Sequence, residues 1–150
     1  MEYLLRVENV SVQYGSKKEP PIQNINLEVK KGECIVLIGA SGCGKTSLIR
    51  AINGLAKNYY EAEVSGKILF YNENLLEKDP GEISRSIGTL FQNPKAQFFN
   101  LDTSAELIFG CENLGLNKAD ISARIDRIIE QMNLDSLINR NVFKLSGGER

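Results

Sequence analysis

The sequence contains no histidine. Its absence excludes a Ser-His-Asp triad, a His-paired cysteine nucleophile and a His-containing zinc or iron site from these 150 residues. Cysteine is scarce, with residues at 34, 43 and 111 only. The odd count and the lack of C-x-x-C spacing suggest neither a disulfide framework nor a metal knuckle. A reducing, cytoplasmic setting is the natural expectation. Charge is balanced, 18 basic against 19 acidic side chains for a net charge of −1. That argues against a nucleic-acid binder working through a broad basic face. No run approaches the ~20 apolar residues of a membrane span. The N-terminal MEYLLRVENV is too charged, and too short in apolar run, for a signal peptide.

What is present reads as a soluble globular chain, 42% hydrophobic and 25% charged. The length suits one domain, burying roughly 70% of the unfolded chain's surface. Tyr3 to Tyr14 is rich in β-branched and aromatic residues and predicts a strand. Gly15 to Pro21 is a turn-rich break. Ile22, Ile25, Leu27 and Val29 give a second strand, closed by a turn at Lys30 to Glu33. Cys34 to Ile38 is continuously apolar, as in a strand buried on both faces. From Lys45 to Leu55 apolar residues recur at helical spacing, weakened near Gly54. Val64 to Tyr71 and Ile87 to Phe91 read as strands, with Asp79-Pro80-Gly81 as a turn.

The rest reads as helical. Thr103 and Glu106 form a capping-box pattern, predicting a helix from near Ser104 to about Asn113. Asn117 can cap a second helix whose Ile121, Ile125, Ile128, Ile129 and Met132 share one face, expected to be core. A buried strand feeding a helix points to an α/β sheet with its ligand at the strand's carboxyl end.

Gly39-Ala40-Ser41-Gly42-Cys43-Gly44-Lys45-Thr46 fits G-x-x-x-x-G-K-[ST]. A chance match in a chain of this composition has a probability of roughly 1%. The glycines let successive backbone N–H groups turn inward and cradle phosphate oxygens. The helix opening near Lys45 adds its positive end. Lys45 can reach the β- and γ-phosphates, and Thr46 can place its hydroxyl on Mg²⁺. Cys43 lies inside the loop at a helix N-terminus, a position that favours a reactive thiol. Nucleoside triphosphate binding follows from the spacing alone.

Leu145-Ser146-Gly147-Gly148-Glu149 reads locally as a serine N-cap with a glutamate at the third helical position. Together with the phosphate loop upstream, it resembles the nucleotide-binding subunits of ATP-binding-cassette (ABC) transporters. The resemblance runs the length of the chain. It implies a P-loop α/β core with an antiparallel β subdomain and a helical subdomain. Residues 1–92 would hold the β subdomain and the Walker A part of the core. Residues 93–145 would form the Q-loop and helical subdomain, and 146–150 would begin the signature helix. It implies ATP contacts from Tyr14, stacking on adenine, and from Gly39, Ala40, Ser41, Gly42, Cys43, Gly44, Lys45, Thr46 and Ser47. Gln92, in Phe91-Gln92-Asn93-Pro94, would be the Q-loop glutamine, touching Mg²⁺ and the attacking water. Leu145 to Glu149 would face the ATP of a partner subunit. Gln97-Phe98-Phe99, Glu106, Phe109-Gly110 and Glu112 to Gly115 are similar to the ATPases of energy-coupling-factor importers of vitamins, cobalt or nickel.

The family acts as a homo- or heterodimer, each ATP lying between Walker A of one subunit and the signature of the other. Two helix N-termini, Lys45 and Mg²⁺ would then neutralise the charge developing on the phosphoryl group. The resemblance further implies a membrane subunit docking near Gln92 to Asn100, and a location on the inner face of the cell membrane. Nucleic acid is not an expected partner. The competing readings are a soluble ABC protein acting on ribosomes or DNA, and a non-catalytic nucleotide-binding module. The family's Walker B strand, D-loop and switch histidine are not among these residues. The expectation is therefore a fragment lacking the C-terminal part of the core sheet, with exposed apolar edges and little or no ATP turnover.

Overall fold

The computed structural model describes residues 3–15 and 21–149. They form two compact units, Met1–Thr89 and Leu90–Arg150.

The first unit is built on an antiparallel sheet of order β2-β1-β3-β4. Its strands are β1 (Tyr3–Tyr14), β2 (Ile22–Lys30), β3 (Ala62–Phe70) and β4 (Glu73–Asn74). The first two match the sequence expectation closely. The break between them, at 16–20, lies outside the described residues. In β1, Val7, Val10 and Val12 are buried, so strict alternation fails between 7 and 10. The cause is a bulge at Asn9, whose φ of 50° adds a residue to the strand. Opposite it sits Gly66 in β3, with φ +92°. A Cβ there would lie 2.5 Å from the Asn9 carbonyl oxygen, so the backbones meet only because the side chain is missing.

Helices α1 (Lys45–Ile52) and α2 (Leu55–Tyr59) lay Leu48, Ala51 and Ala56 against Val7, Val10, Val12 and Ile68 of the sheet. Each large side chain so buried contributes roughly 1.5–3 kcal/mol. The single helix expected over 45–55 is two, because Gly54 takes φ +75° and lies against Ile83. A Cβ on Gly54 would come within 2.7 Å of Ile83 Cδ1.

Three expectations fail here. Asp79-Pro80-Gly81 is not merely a turn; it opens helix α3 (Pro80–Ser84). Asp79 accepts from the Glu82 N–H at 2.9 Å, and Glu82 accepts from the Asp79 N–H at 3.0 Å. Cys34–Ile38 is no buried strand. It has no ladder partner among the described residues, and Val36 and Ile38 are 73% and 91% exposed. The segment 87–91 is likewise not a strand, and Leu90 is 94% exposed. An apolar run becomes a strand only where a neighbour takes its backbone hydrogen bonds.

The second unit contains α4 (Thr103–Asn113) and α5 (Lys118–Met132). The capping residue of α4 is Asp102, not Thr103. Its carboxylate accepts from Ser104 and Ala105 N–H at 2.9 and 3.2 Å. Thr103 is buried, and its hydroxyl donates to the Leu137 carbonyl at 2.7 Å, so it is not free to cap. Asn117 caps α5 as expected, accepting from Asp120 N–H at 3.0 Å. The apolar stripe of α5 is not core. No residue of the helix is buried, and Met132 is 64% exposed. Ile128 and Met132 instead line one side of an apolar cavity of about 260 Å³, facing Phe98, Leu107, Val142 and Leu145.

Candidate functional site

The phosphate loop joins the irregular segment 33–38 to α1, and residues 39–43 are exposed. Gly42 and Gly44 take φ +82° and +95°. Gly44 is doubly constrained, since a Cβ would lie 2.2 Å from Ile22 Cγ2 and 2.5 Å from the Pro21 carbonyl oxygen. The helix registers at once, with Leu48 N–H donating to the Gly44 carbonyl at 3.0 Å. Lys45 folds back over the loop. Its ammonium donates to the Gly39 and Ala40 carbonyls, both at 2.8 Å, and lies 3.5 Å from Cys43 Sγ. A cation thus stands at the start of α1, which has no side-chain cap and whose first N–H groups have no partner within the helix. Thr46 is exposed on the first turn, whereas Ser47 is 9% exposed on the side of α1 turned to the core.

Tyr14 ends β1, opposite Ala62. Its ring packs against the core cluster, and its hydroxyl is buried without a hydrogen-bond partner among the described residues. At the far end of α1, Asn53 is buried. It accepts from Leu55 N–H at 3.2 Å and donates to Thr89 Oγ1 at 3.4 Å. The sequence reading passed over Asn53, although an Asn-Gly pair at a helix end is a readable stop signal.

In the second unit Gln92 is exposed, not set at the end of a buried strand as expected. The segment around it is closed by Gln97, whose side-chain oxygen accepts from Phe91 N–H at 3.0 Å. In the signature segment Leu145 is buried and Ser146, Gly147 and Gly148 are exposed. Half of the expected capping box is formed, with Ser146 N–H donating to Glu149 at 2.8 Å. Residues 147–149 form a turn, not a helix. Arg140, which the sequence reading missed, pairs with Glu149 at 3.2 Å. The Ser146 hydroxyl first, then its backbone N–H and Arg140, hold the Glu149 carboxyl below the ordinary carboxylate range.

A glycine loop running into a helix beside an antiparallel β sheet, with a separate helical unit, defines a phosphate-loop cassette. The ABC transporter family model matches residues 22–150. The chain belongs to the ABC transporter family. It is 43% identical over 147 residues to a putative ABC transporter ATP-binding protein of Treponema denticola, covering 98% of this chain and 30% of that protein. It is 34% identical over 148 residues to a putative HMP/thiamine import ATP-binding protein of Bacillus subtilis, covering 98% of this chain and 27% of that protein. Among solved structures it resembles cbiO1 of Clostridium perfringens, described as part of the ABC transporter complex cbiONQ. The TM-score is 0.81 at 28% identity, over 99% of this chain and 58% of that one. A nucleotide-free ATP-binding cassette from an ABC transporter matches with TM-score 0.78 at 26% identity, over 99% of this chain and 61% of that one. The chain thus spans between 24% and 52% of the length of the curated relatives it matches.

Proposed function

We propose that this chain is the ATP-binding part of a subunit that powers a membrane importer, with vitamins or transition-metal ions as the cargo class. The loop Gly39–Thr46, exposed over residues 39–43 and with Lys45 folded over it at the start of α1, carries the reading. The loop N–H groups and α1 would hold the phosphates, Thr46 the Mg²⁺, and Tyr14 the adenine. Mg²⁺ would neutralise phosphate charge, while Lys45 exchanges its two carbonyl partners for phosphate oxygens. Gln92 would sit near the metal and the attacking water. Ser146 to Gly148 would meet the ATP of a second ATPase subunit, the same or a related chain. The exposed apolar run 35–38 supports its pairing with further strands in the whole protein.

The importer reading draws on the names of the thiamine-import relative and the cbiONQ component. A membrane subunit would dock on Gln92 to Asn100, holding the protein at the inner membrane face. No helix among the described residues is long and apolar enough to cross a membrane. Titration calorimetry with Mg-ATP and ADP on the wild type and Lys45→Ala tests the core of this reading. Binding by the wild type, weakened at least about tenfold by the loss of one charge-assisted contact, is expected. No binding by the wild type overturns it.

A further inference from the structure

Glu106 stands in the first turn of α4, where the sequence pattern suggested a cap for its own helix. Its carboxylate points elsewhere. One oxygen, Oε2, accepts from the Phe99 N–H at 3.1 Å, the Asn100 N–H at 2.8 Å and the Asn100 side-chain amide at 3.1 Å. Three donors on one charged oxygen make a tight clasp across six to seven residues. One turn further along α4, Phe109 stacks on the Phe99 ring, with centroids 4.8 Å apart and planes 26° apart. Residues 106 and 109 share a helix face, so α4 holds this loop by a carboxylate and by an aromatic ring.

The object held is not core. Phe99 is 76% exposed and Leu101 is 68% exposed. Burial of Phe99 therefore does not account for the clasp. An exposed aromatic posed by half-buried polar anchors has the character of a binding knob. Gln97 fixes the other end of the segment through the Phe91 N–H.

We infer that Glu106 is the positioning residue of the segment 97–101, setting the pose in which the exposed Phe99 ring meets the membrane subunit. This rests on the reading that a membrane subunit docks on Gln92 to Asn100. Glu106 acts through Phe99 and is not among the residues proposed above to hold the nucleotide or the metal.

The test uses the full-length protein, alone and assembled with its membrane subunits in lipid nanodiscs. Amide hydrogen exchange at Phe99 and Asn100, ATP affinity, and the ratio of assembled to free ATPase rates are measured for the wild type, Glu106→Ala, Glu106→Gln and Phe99→Ala. Glu106→Ala is expected to speed both exchanges by at least about tenfold, to lower the ratio at least about fivefold, and to leave ATP affinity unchanged. Glu106→Gln, which keeps one acceptor oxygen, falls between. Phe99→Ala lowers the ratio equally while Asn100 exchange stays slow. Unchanged exchange in Glu106→Ala overturns the inference. So does a wild-type ratio in Glu106→Ala or in Phe99→Ala, with the docking reading left standing. A wild type that neither assembles with the membrane subunits nor responds to them removes the docking reading and this inference together.

Discussion

The Lys45 ammonium lies 2.8 Å from the Gly39 carbonyl oxygen, closing the phosphate loop on itself from the first helical residue back to the first glycine. Cys43 sits under this bridge, its sulfur 3.5 Å from the same nitrogen. A nucleotide that draws Lys45 onto its phosphates covers the thiol as well. Maleimide labelling of Cys43 is therefore expected to slow at least about tenfold in Mg-ATP, since thiol reactivity follows access. Cys34, exposed and outside the loop, labels at an unchanged rate and serves as the internal reference. Peptide mass mapping after timed labelling reads both. Equal slowing at both cysteines would show a global change, not occupancy of the loop.

Gly66 and Gly32 separate backbone strain from collision. Both have positive φ, +92° and +79°. An added Cβ on Gly32 meets nothing within 4 Å, whereas on Gly66 it lies 2.5–2.7 Å from backbone atoms of Glu8 and Asn9. Gly32→Ala then costs only the left-handed conformation, about 1 kcal/mol. Gly66→Ala must also push apart two paired strands at their bulge, and about 3 kcal/mol is expected. Urea unfolding midpoints of the two variants measure the gap. Equal losses would mean that the β1–β3 bulge yields freely.

These contrasts also show what the sequence makes legible. The phosphate loop is readable because its geometry is local. Gly42, Gly44 and Lys45 lie within four residues, and positive φ at the glycines is written in their missing side chains. Strands β1 and β2 are readable because turn residues bound them. Cys34 to Ile38 reads as a strand yet forms none, because apolarity states what a segment avoids, and pairing depends on a neighbour. Thr103 and Glu106 have capping-box spacing, yet each side chain serves a distant segment, Thr103 the 137–140 turn and Glu106 the loop at 99–100. Spacing alone does not distinguish a local acceptor from a tertiary one. The half-exposed stripe of α5 fails as core for the same reason, since periodicity marks a face and not what covers it.

Tyr14 offers a test of the cost of burial without a partner. Its hydroxyl is enclosed and unbonded among the described residues, while its ring packs on the core. Removing the oxygen removes a desolvated polar group and keeps the ring. Tyr14→Phe is expected to stabilise by about 1 kcal/mol, and Tyr14→Ala to destabilise through loss of the ring. Denaturant midpoints decide the first point. Under the adenine-stacking proposal, ATP affinity survives Tyr14→Phe and drops in Tyr14→Ala. A loss of affinity in the phenylalanine variant would mean that the hydroxyl, not the ring, does the binding.

The signature segment should respond to acid through Glu149. The Ser146 hydroxyl and N–H, with Arg140 at 3.2 Å, favour its ionised form in the folded chain. Its folded pKa is thus below the ordinary glutamate value of 4.5. A lowered folded pKa means that the unfolded chain takes up the proton first. The stabilisation is therefore fully present above the ordinary value and fades as pH falls through the lower folded one. Glu149→Gln removes the charge, so wild type and variant should differ most at about pH 7 and converge as pH falls through the lowered folded value. Because Glu149 is exposed, solvent screening keeps the difference small, and added salt reduces it further. Unfolding midpoints across that range give the comparison. A difference that grows as pH falls would reverse the assigned direction and place the Glu149 carboxyl among groups that repel its charge.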